Sequence, residues 1–340
     1  MIKDQYPGSE ILFVGAKGRM EMTKVAEAGY DIIGLNISGF QRRLTLENLL
    51  FPLKVISSFL SSVRILKKFK PQVVVGFGGY ASSPITLAAA RKHVPIVLQE
   101  QNSYAGLANK AVAKRANTIC VAYDGMEAYF PKEKLVLTGN PIRSNIQKGI
   151  TKEDALKHFG LVEGKKTILV VGGSLGARTL NESMIQNIER LLLSNYQVLW
   201  QTGSLYYNEM KERINGFDSK NVHLVEFIKE MDKAYAIADL VISRAGALTI
   251  SELSVIGKAV LFVPSPNVAE DHQTKNAMAL VKKNAAEMVP DKEAVSSLID
   301  RAFELLENEN RIKELETNIL KLGKPKATES IVNEVLSLAK

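Results

Sequence analysis

Short apolar runs rich in β-branched residues recur along the chain, separated by segments with helical spacing. The runs predict strands at Ile11–Val14, Val73–Val75, Ile96–Leu98, Thr118–Val121 and Leu135–Leu137. Further strands are predicted at Thr167–Val171, Val198–Trp200, Val222–Val225, Leu240–Ser243 and Val260–Val263. Runs without polar alternation suit parallel strands covered on both faces. With helices between them they read as βα units of doubly wound sheets, an α/β class. The opening, MIKDQYPGSEILFVG, reads as the end of a helix running into a strand. The strand and ligand-binding turn with which such domains usually begin are absent from it. Gly and Pro ahead of a polar segment mark GNPIRSN (139–145) as the joint between domains. We expect one domain over 1–142, a second over 143–322, and a helical tail over 323–340.

Composition narrows the class. Of 340 residues, 46% are hydrophobic and 24% charged, as in soluble globular proteins. No apolar run reaches the roughly 18 residues of a spanning helix, and the N-terminus lacks the apolar core of a signal peptide. The single cysteine, Cys120, lies in an apolar run and reads as a buried thiol. Charge is unevenly placed. Residues 1–145 hold 19 Lys and Arg against 10 Asp and Glu, whereas the remainder holds 25 against 26. The first half should therefore face something anionic: a membrane surface, nucleic acid or a phosphorylated substrate. Few aromatics stand in the basic stretches and no nucleic-acid motif occurs, which argues against nucleic acid.

Three stretches share the order apolar strand, small-residue turn, helix. They are VVVGFGGYASSP (73–84), ILVVGGSLGARTLNES (168–183) and LVISRAGALTISE (240–252). Such turns expose helix N-terminal N–H groups, and their glycines let a phosphate approach. Gly172-Gly173-x-x-Gly176 matches neither the dinucleotide fingerprint nor a P-loop. Any βα unit needs a tight turn, so one alone says little; their distribution over both halves suggests a cleft between domains. Thr249-x-x-Glu252 fits a capping box; alternatively, Glu252 accepts hydrogen bonds from two ribose hydroxyls. Gln273 and Asn276 share a helical face that is either plain solvated surface or a reader of sugar hydroxyls. LQEQNSYAGLANK (98–110) puts polar residues at a strand's carboxyl end, as a cleft edge or a plain loop. In 46–70, Leu49, Leu53, Ile56, Leu60 and Val63 form a stripe beside Lys54, Arg64, Lys67, Lys68 and Lys70. That helix either packs on its own sheet or lies on anionic lipid. His93, His158, His223 and His272 show no metal spacing and no Asp-x-Asp pair occurs, so neither metal nor cofactor is implied.

Taken in order, GFGGYASSP, QEQNSYAGLANK, GNPIR, VVGGSLGAR, EFIKEM, SRAGALTISE and DHQTKNA resemble the MurG family. These are transferases of N-acetylglucosamine (GlcNAc) from UDP-GlcNAc to lipid I in peptidoglycan synthesis. The resemblance runs from about Ser9 to the C-terminus. It implies a GT-B fold, with two Rossmann-like domains facing a cleft and the last helix crossing back to the first domain. It implies an inverting transfer to the MurNAc 4-hydroxyl at the cytoplasmic face of the cell membrane, where the protein would be peripheral. By motif, UDP-GlcNAc would lie mainly on the second domain. The backbone of Ile228 would hold the uracil edge and Glu252 the ribose hydroxyls. Ser174 and Thr249, with the backbone of Ala247 and Leu248, would line the ribose and diphosphate. Gln273 and Asn276 would read GlcNAc, and Arg143 and Asn102 match further donor-site positions. Gly78, Gly79 and Tyr80 would face the acceptor. Leu49, Leu53, Ile56 and Phe59 fall on the family's membrane-associating patch. Helix N-termini at Ser174 and Thr249 would stabilise the departing UDP.

One departure stands out. The family's opening strand and Gly-Gly-Thr-Gly-Gly-His turn have no counterpart, and Met1 falls near the end of the family's first helix. The family's histidine base therefore has no position in this sequence. The first-domain sheet is expected to lack a central member and to expose two strand edges. An in-frame Gly-Gly-Thr-Gly-Gly-His upstream would mark a longer native chain. The rival readings are a shortened, catalytically impaired UDP-GlcNAc binder, and another nucleotide-sugar enzyme of the same fold, such as a UDP-GlcNAc 2-epimerase.

Overall fold

The computed structural model describes residues 1–37, 51–147, 149–217 and 220–339. The chain divides into two compact units, Met1–Gly139 with Lys326–Lys340, and Asn140–Pro325.

In unit 1, a short helix α1 (Ile2–Gln5) leads into β1 (Leu12–Ala16). Then follow α2 (Met20–Glu27), β2 (Asp31–Leu35), α3 (Phe51–Phe69), β3 (Val74–Gly76) and α4 (Ser82–Arg91). The unit continues with β4 (Ile96–Glu100), α5 (Leu107–Val112), β5 (Thr118–Val121) and β6 (Leu135–Leu137). All pairings are parallel, but they form two sheets: β1-β2, and β3-β4-β5-β6. Among the described residues no strand joins β1 to β3. Alternation along β4 and β5 sends Ile96, Leu98, Ile119 and Val121 into one core with Leu66, Ile85 and Phe130. Val97 and Cys120 point to the opposite face.

Unit 2 begins with α6 (Lys152–Phe159), β7 (Thr167–Val171), α7 (Arg178–Gln186), α8 (Ile188–Leu193) and β8 (Gln197–Gln201). It goes on through α9 (Tyr207–Arg213), β9 (Val222–Val225), α10 (Met231–Ile237), β10 (Leu240–Ser243) and α11 (Ala247–Ile256). The last members are β11 (Val260–Phe262), α12 (His272–Val281), β12 (Glu287–Met288), α13 (Asp291–Glu307) and α14 (Glu309–Leu320). The six strands are parallel in the order β9-β8-β7-β10-β11-β12. That is the doubly wound order 3-2-1-4-5-6. One face buries Ile168, Val170, Trp200, Ile242 and Leu261 against α7 and α13.

The final helix, α15 (Ala327–Leu338), belongs to unit 1. Its Ile331 and Val335 cover Val97 and Cys120 on the second face of the β3–β6 sheet. Gln72 donates Nε2 to Ala339 O at 3.3 Å just beyond it.

All ten predicted strands are present. Two further strands, β2 and β12, carried no readable signal. Asp31-Ile-Ile-Gly-Leu is broken by Gly34, and Glu287–Met288 is only two residues long.

Candidate functional site

The chain runs from β7 to β8 on one side and from β10 to β11 on the other, so the strand order reverses between β7 and β10. Doubly wound sheets take ligands in the crevice beyond the carboxyl ends at such a switch point. Here the turns Gly172–Ala177 and Arg244–Gly246 stand side by side, because β7 and β10 are paired.

The first turn is fastened to the end of β8. Gly176, at φ 88°, runs so close to it that an added Cβ would lie 2.1 Å from Thr202 O, so only glycine fits. Ser204 N–H donates to Ser174 O at 3.1 Å. The buried Gln201 amide joins two loops: its Nε2 donates to Gly173 O at 3.0 Å, and its Oε1 accepts Ile228 N–H at 2.8 Å. Ile228 is itself buried and its N–H is engaged by Gln201, so of its backbone only the carbonyl could meet the uracil edge expected there. The helix N-terminus expected at Ser174 is corrected, not the residue's place in the turn. Ser174 lies in the exposed loop, and α7 starts four residues later at Arg178.

The second turn overturns the capping box. α11 begins at Ala247 with Gly246 as its N-cap, so Thr249 is already inside the helix and no side chain caps it. Neither α7 nor α11 has a side-chain cap, which leaves first-turn N–H groups for an anion. Glu252 is on the helix's second turn and only 3% exposed. Its carboxylate accepts Arg143 Nε at 2.8 Å and Arg143 Nη2 at 3.1 Å, a two-pronged fork. Tyr235 OH, from α10, adds a third hydrogen bond to Oε2 at 3.0 Å. The Glu252 bond pushes the Arg143 guanidinium above its ordinary value. Burial, then the Glu252 charge, hold the Tyr235 hydroxyl well above its usual range. Neither Tyr235 nor Gln201 was singled out from the sequence. Arg244 anchors the turn, donating to Val263 O at 2.9 Å and to Asp291, which also accepts Thr179 Oγ1 at 3.0 Å. Leu248 stands exposed beside it.

On α12, Glu270 and Asp271 precede the helix with φ 54° and 53°, an uncommon left-handed pair. Gln273 Oε1 accepts Ser265 N–H at 2.9 Å, which fixes the amide flip and leaves Nε2 as the group it presents. Asn276 departs from expectation: it is buried, with Nδ2 directed at Ala245 O at 3.5 Å, beneath the turn rather than on an open face.

In unit 1, Gly78 and Gly79 both have positive φ, at 78° and 77°, between exposed Phe77 and Tyr80. Gln101 Nε2 donates to Phe77 O at 3.1 Å. The buried Glu100 carboxylate organises the next loop, accepting Asn102 N–H at 3.2 Å, Gly106 N–H at 3.0 Å and Asn109 Nδ2 at 2.9 Å. Asn102 is thus held by Glu100 within unit 1. On α3, Leu53, Ile56 and Leu60 are 64%, 57% and 49% exposed. Phe59 does not join them: it packs on the core with the Arg91 guanidinium 5.1 Å over its ring, and Val63 also turns inward. Leu49 lies outside the described residues. No group of three His, Cys, Asp or Glu placed to hold a metal occurs among the described residues.

Residues 167–331 match the glycosyltransferase family 28 C-terminal domain, and residues 5–121 the N-terminal domain of the same family. A Cytophaga hutchinsonii relative is 53% identical over 99% of this chain and 90% of its own length. A Parabacteroides distasonis relative is 49% identical over 99% and 92%. Both are named UDP-N-acetylglucosamine--N-acetylmuramyl-(pentapeptide) pyrophosphoryl-undecaprenol N-acetylglucosamine transferase. The crystal structure of Acinetobacter baumannii MurG superposes with a TM-score of 0.79 at 27% identity, covering 98% of this chain and 92% of that one. A UDP-N-acetylglucosamine 2-epimerase structure reaches 0.64 at 18% identity over 98% and 89%, a likeness of fold alone.

Proposed function

The chain belongs to the MurG family within glycosyltransferase family 28, and from that membership we infer that it moves GlcNAc from UDP-GlcNAc to the MurNAc 4-hydroxyl of lipid I, giving lipid II. It is a UDP-GlcNAc-dependent hexosyltransferase of peptidoglycan synthesis with a GT-B fold. What carries the reading is the collinear match to transferases of that name over nearly the whole chain.

Within that activity we propose the following division of labour. Glu252 takes the ribose hydroxyls, beside Arg143. The uncapped N-termini of α7 and α11 receive the diphosphate and stabilise the charge that develops on departing UDP. Gln273 Nε2 donates to a GlcNAc hydroxyl. The loop at Gly78, Gly79 and Tyr80 meets the acceptor sugar. Inversion requires a base within hydrogen-bond reach of the acceptor 4-hydroxyl, and no residue of this chain is assigned to it.

We also propose that unit 1 docks on the anionic cytoplasmic face of the cell membrane through α3. Its exposed ridge Leu53-Ile56-Leu60 continues into exposed Arg64 and Lys67 at helical spacing, so apolar contact and basic charge share one face. No described helix is long and apolar enough to cross a membrane.

The test incubates the protein with radiolabelled UDP-GlcNAc and a lipid I analogue. Transfer of label to the lipid with matching release of UDP is expected. Donor binding without transfer would sustain the impaired-binder reading instead, and isomerised nucleotide sugar without lipid product would sustain the epimerase.

A further inference from the structure

The Glu252 carboxylate is already crowded. A carboxylate offers about four lone-pair sites. Three are filled, one on Oε1 by Arg143 Nε and two on Oε2 by Arg143 Nη2 and Tyr235 OH. A ribose diol needs two sites, and one is left. At least one present donor must therefore withdraw when the nucleotide arrives. The two candidates differ in freedom. The Arg143 side chain is 50% exposed and can turn its fork to water. Tyr235 is 3% exposed and stays with Met231 and Ile237 among the buried residues of α10.

We propose that Tyr235 is a positioning residue: its hydroxyl holds Glu252 in the ribose-reading pose while the Arg143 fork is exchanged for the hydroxyls of the nucleotide. A fixed phenol suits this task. It orients the carboxylate through one oxygen and leaves the edge on the Oε1 side free. Burial keeps it protonated, so it remains a donor throughout the working range. The inference rests on the reading of Glu252 as the ribose acceptor.

The test is calorimetric titration of UDP and 2′,3′-dideoxy-UDP into wild type, Tyr235→Phe and Glu252→Gln, with melting curves to establish folding. Wild type should prefer UDP, and Glu252→Gln should erase most of that preference. Tyr235→Phe should bind UDP about tenfold more weakly, the value of one hydrogen bond to a charged group, and dideoxy-UDP about as well as wild type. In the transferase assay, KM for the donor should rise with little change in kcat. Equal losses for both ligands in Tyr235→Phe would make the tyrosine a packing residue, and no loss for either would leave it idle; both overturn the proposal. Equal affinity of wild type for the two ligands, with equal effects of Glu252→Gln on both, would instead overturn the ribose reading itself. Should Tyr235→Phe not fold, 3-fluorotyrosine at position 235 keeps the hydroxyl and makes it a stronger donor. A changed preference for UDP over dideoxy-UDP would then support the proposal, and an unchanged one would overturn it.

Discussion

Glu252→Ala tests the ligand site and the fold at once, and the two effects separate. The substitution removes the acceptor of three hydrogen bonds. Arg143 is half-exposed and recovers water, so the roughly 3–5 kcal/mol of a fully buried broken pair is not reached. Tyr235 OH is buried and left without its acceptor, which costs about 1–3 kcal/mol. For a unit of this size each kcal/mol lowers Tm by about 2–4 °C, so a fall of about 2–12 °C is expected by differential scanning fluorimetry. Affinity follows a different rule. A hydrogen bond from a ribose hydroxyl to a carboxylate is worth about 1.5–3 kcal/mol, so losing even one weakens binding by about tenfold or more. UDP and UDP-GlcNAc share the ribose, so calorimetry should show both weakened by the same factor. A lowered Tm with unchanged affinities would refute the reasoning and leave Glu252 a structural tie between α10, α11 and Arg143.

Gln273→Ala should weaken UDP-GlcNAc by about tenfold while leaving UDP nearly unchanged, since the proposed contact is to the sugar; equal losses in calorimetry count against it. Gln201→Ala removes the shared partner of Gly173 O and Ile228 N–H. Hydrogen exchange at Ile228 should accelerate and donor KM should rise severalfold, and an unaltered Ile228 amide would show that the tie is unimportant. Cys120 is fully buried and its thiol is pushed up to about 12, first by burial and then by the Glu334 charge on α15. Because the folded value lies above the unfolded one, stability is intact below about pH 8.5 and falls above it by up to about 1.4 kcal/mol per pH unit; denaturant titrations of wild type and Cys120→Ala between pH 8 and 10 should diverge by that slope. Replacing Ile56 and Leu60 together by serine should lower co-sedimentation with anionic vesicles by at least about tenfold without altering UDP affinity, and unchanged sedimentation would remove α3 from the membrane contact.

The strands were readable because parallel strands under two helical layers are mostly apolar along their length, as Ile96–Leu98 and Ile168–Val170 are. The switch-point turns were readable because small residues are needed where backbone meets backbone, as at Gly176 against Thr202. What stayed hidden depends on which strand lies beside which. Gln201 ties Gly173 to Ile228 only because β8 sits between β7 and β9, and Tyr235 meets Glu252 only because α10 and α11 flank the same strand. The capping-box alternative fails for a local cause: Gly246 already supplies the extended N-cap, so the helix starts before Thr249. The stripe on α3 divides, with Val63 inward and Leu53, Ile56 and Leu60 outward, for a more informative reason. Its inward face joins Phe59, Val63 and Leu66 to the buried Ser58 and Ser62, and serines are not residues that an apolar pattern credits to a core. Both serines can be buried because Ser58 Oγ donates to Asn36 O at 3.1 Å and Ser62 Oγ to Ser58 O at 2.7 Å. With those small residues facing inward, Leu53, Ile56 and Leu60 are left exposed on the outer face. Packing on the sheet and contact with lipid are therefore compatible for this helix: one face serves the core, and the exposed face is the one proposed to meet lipid.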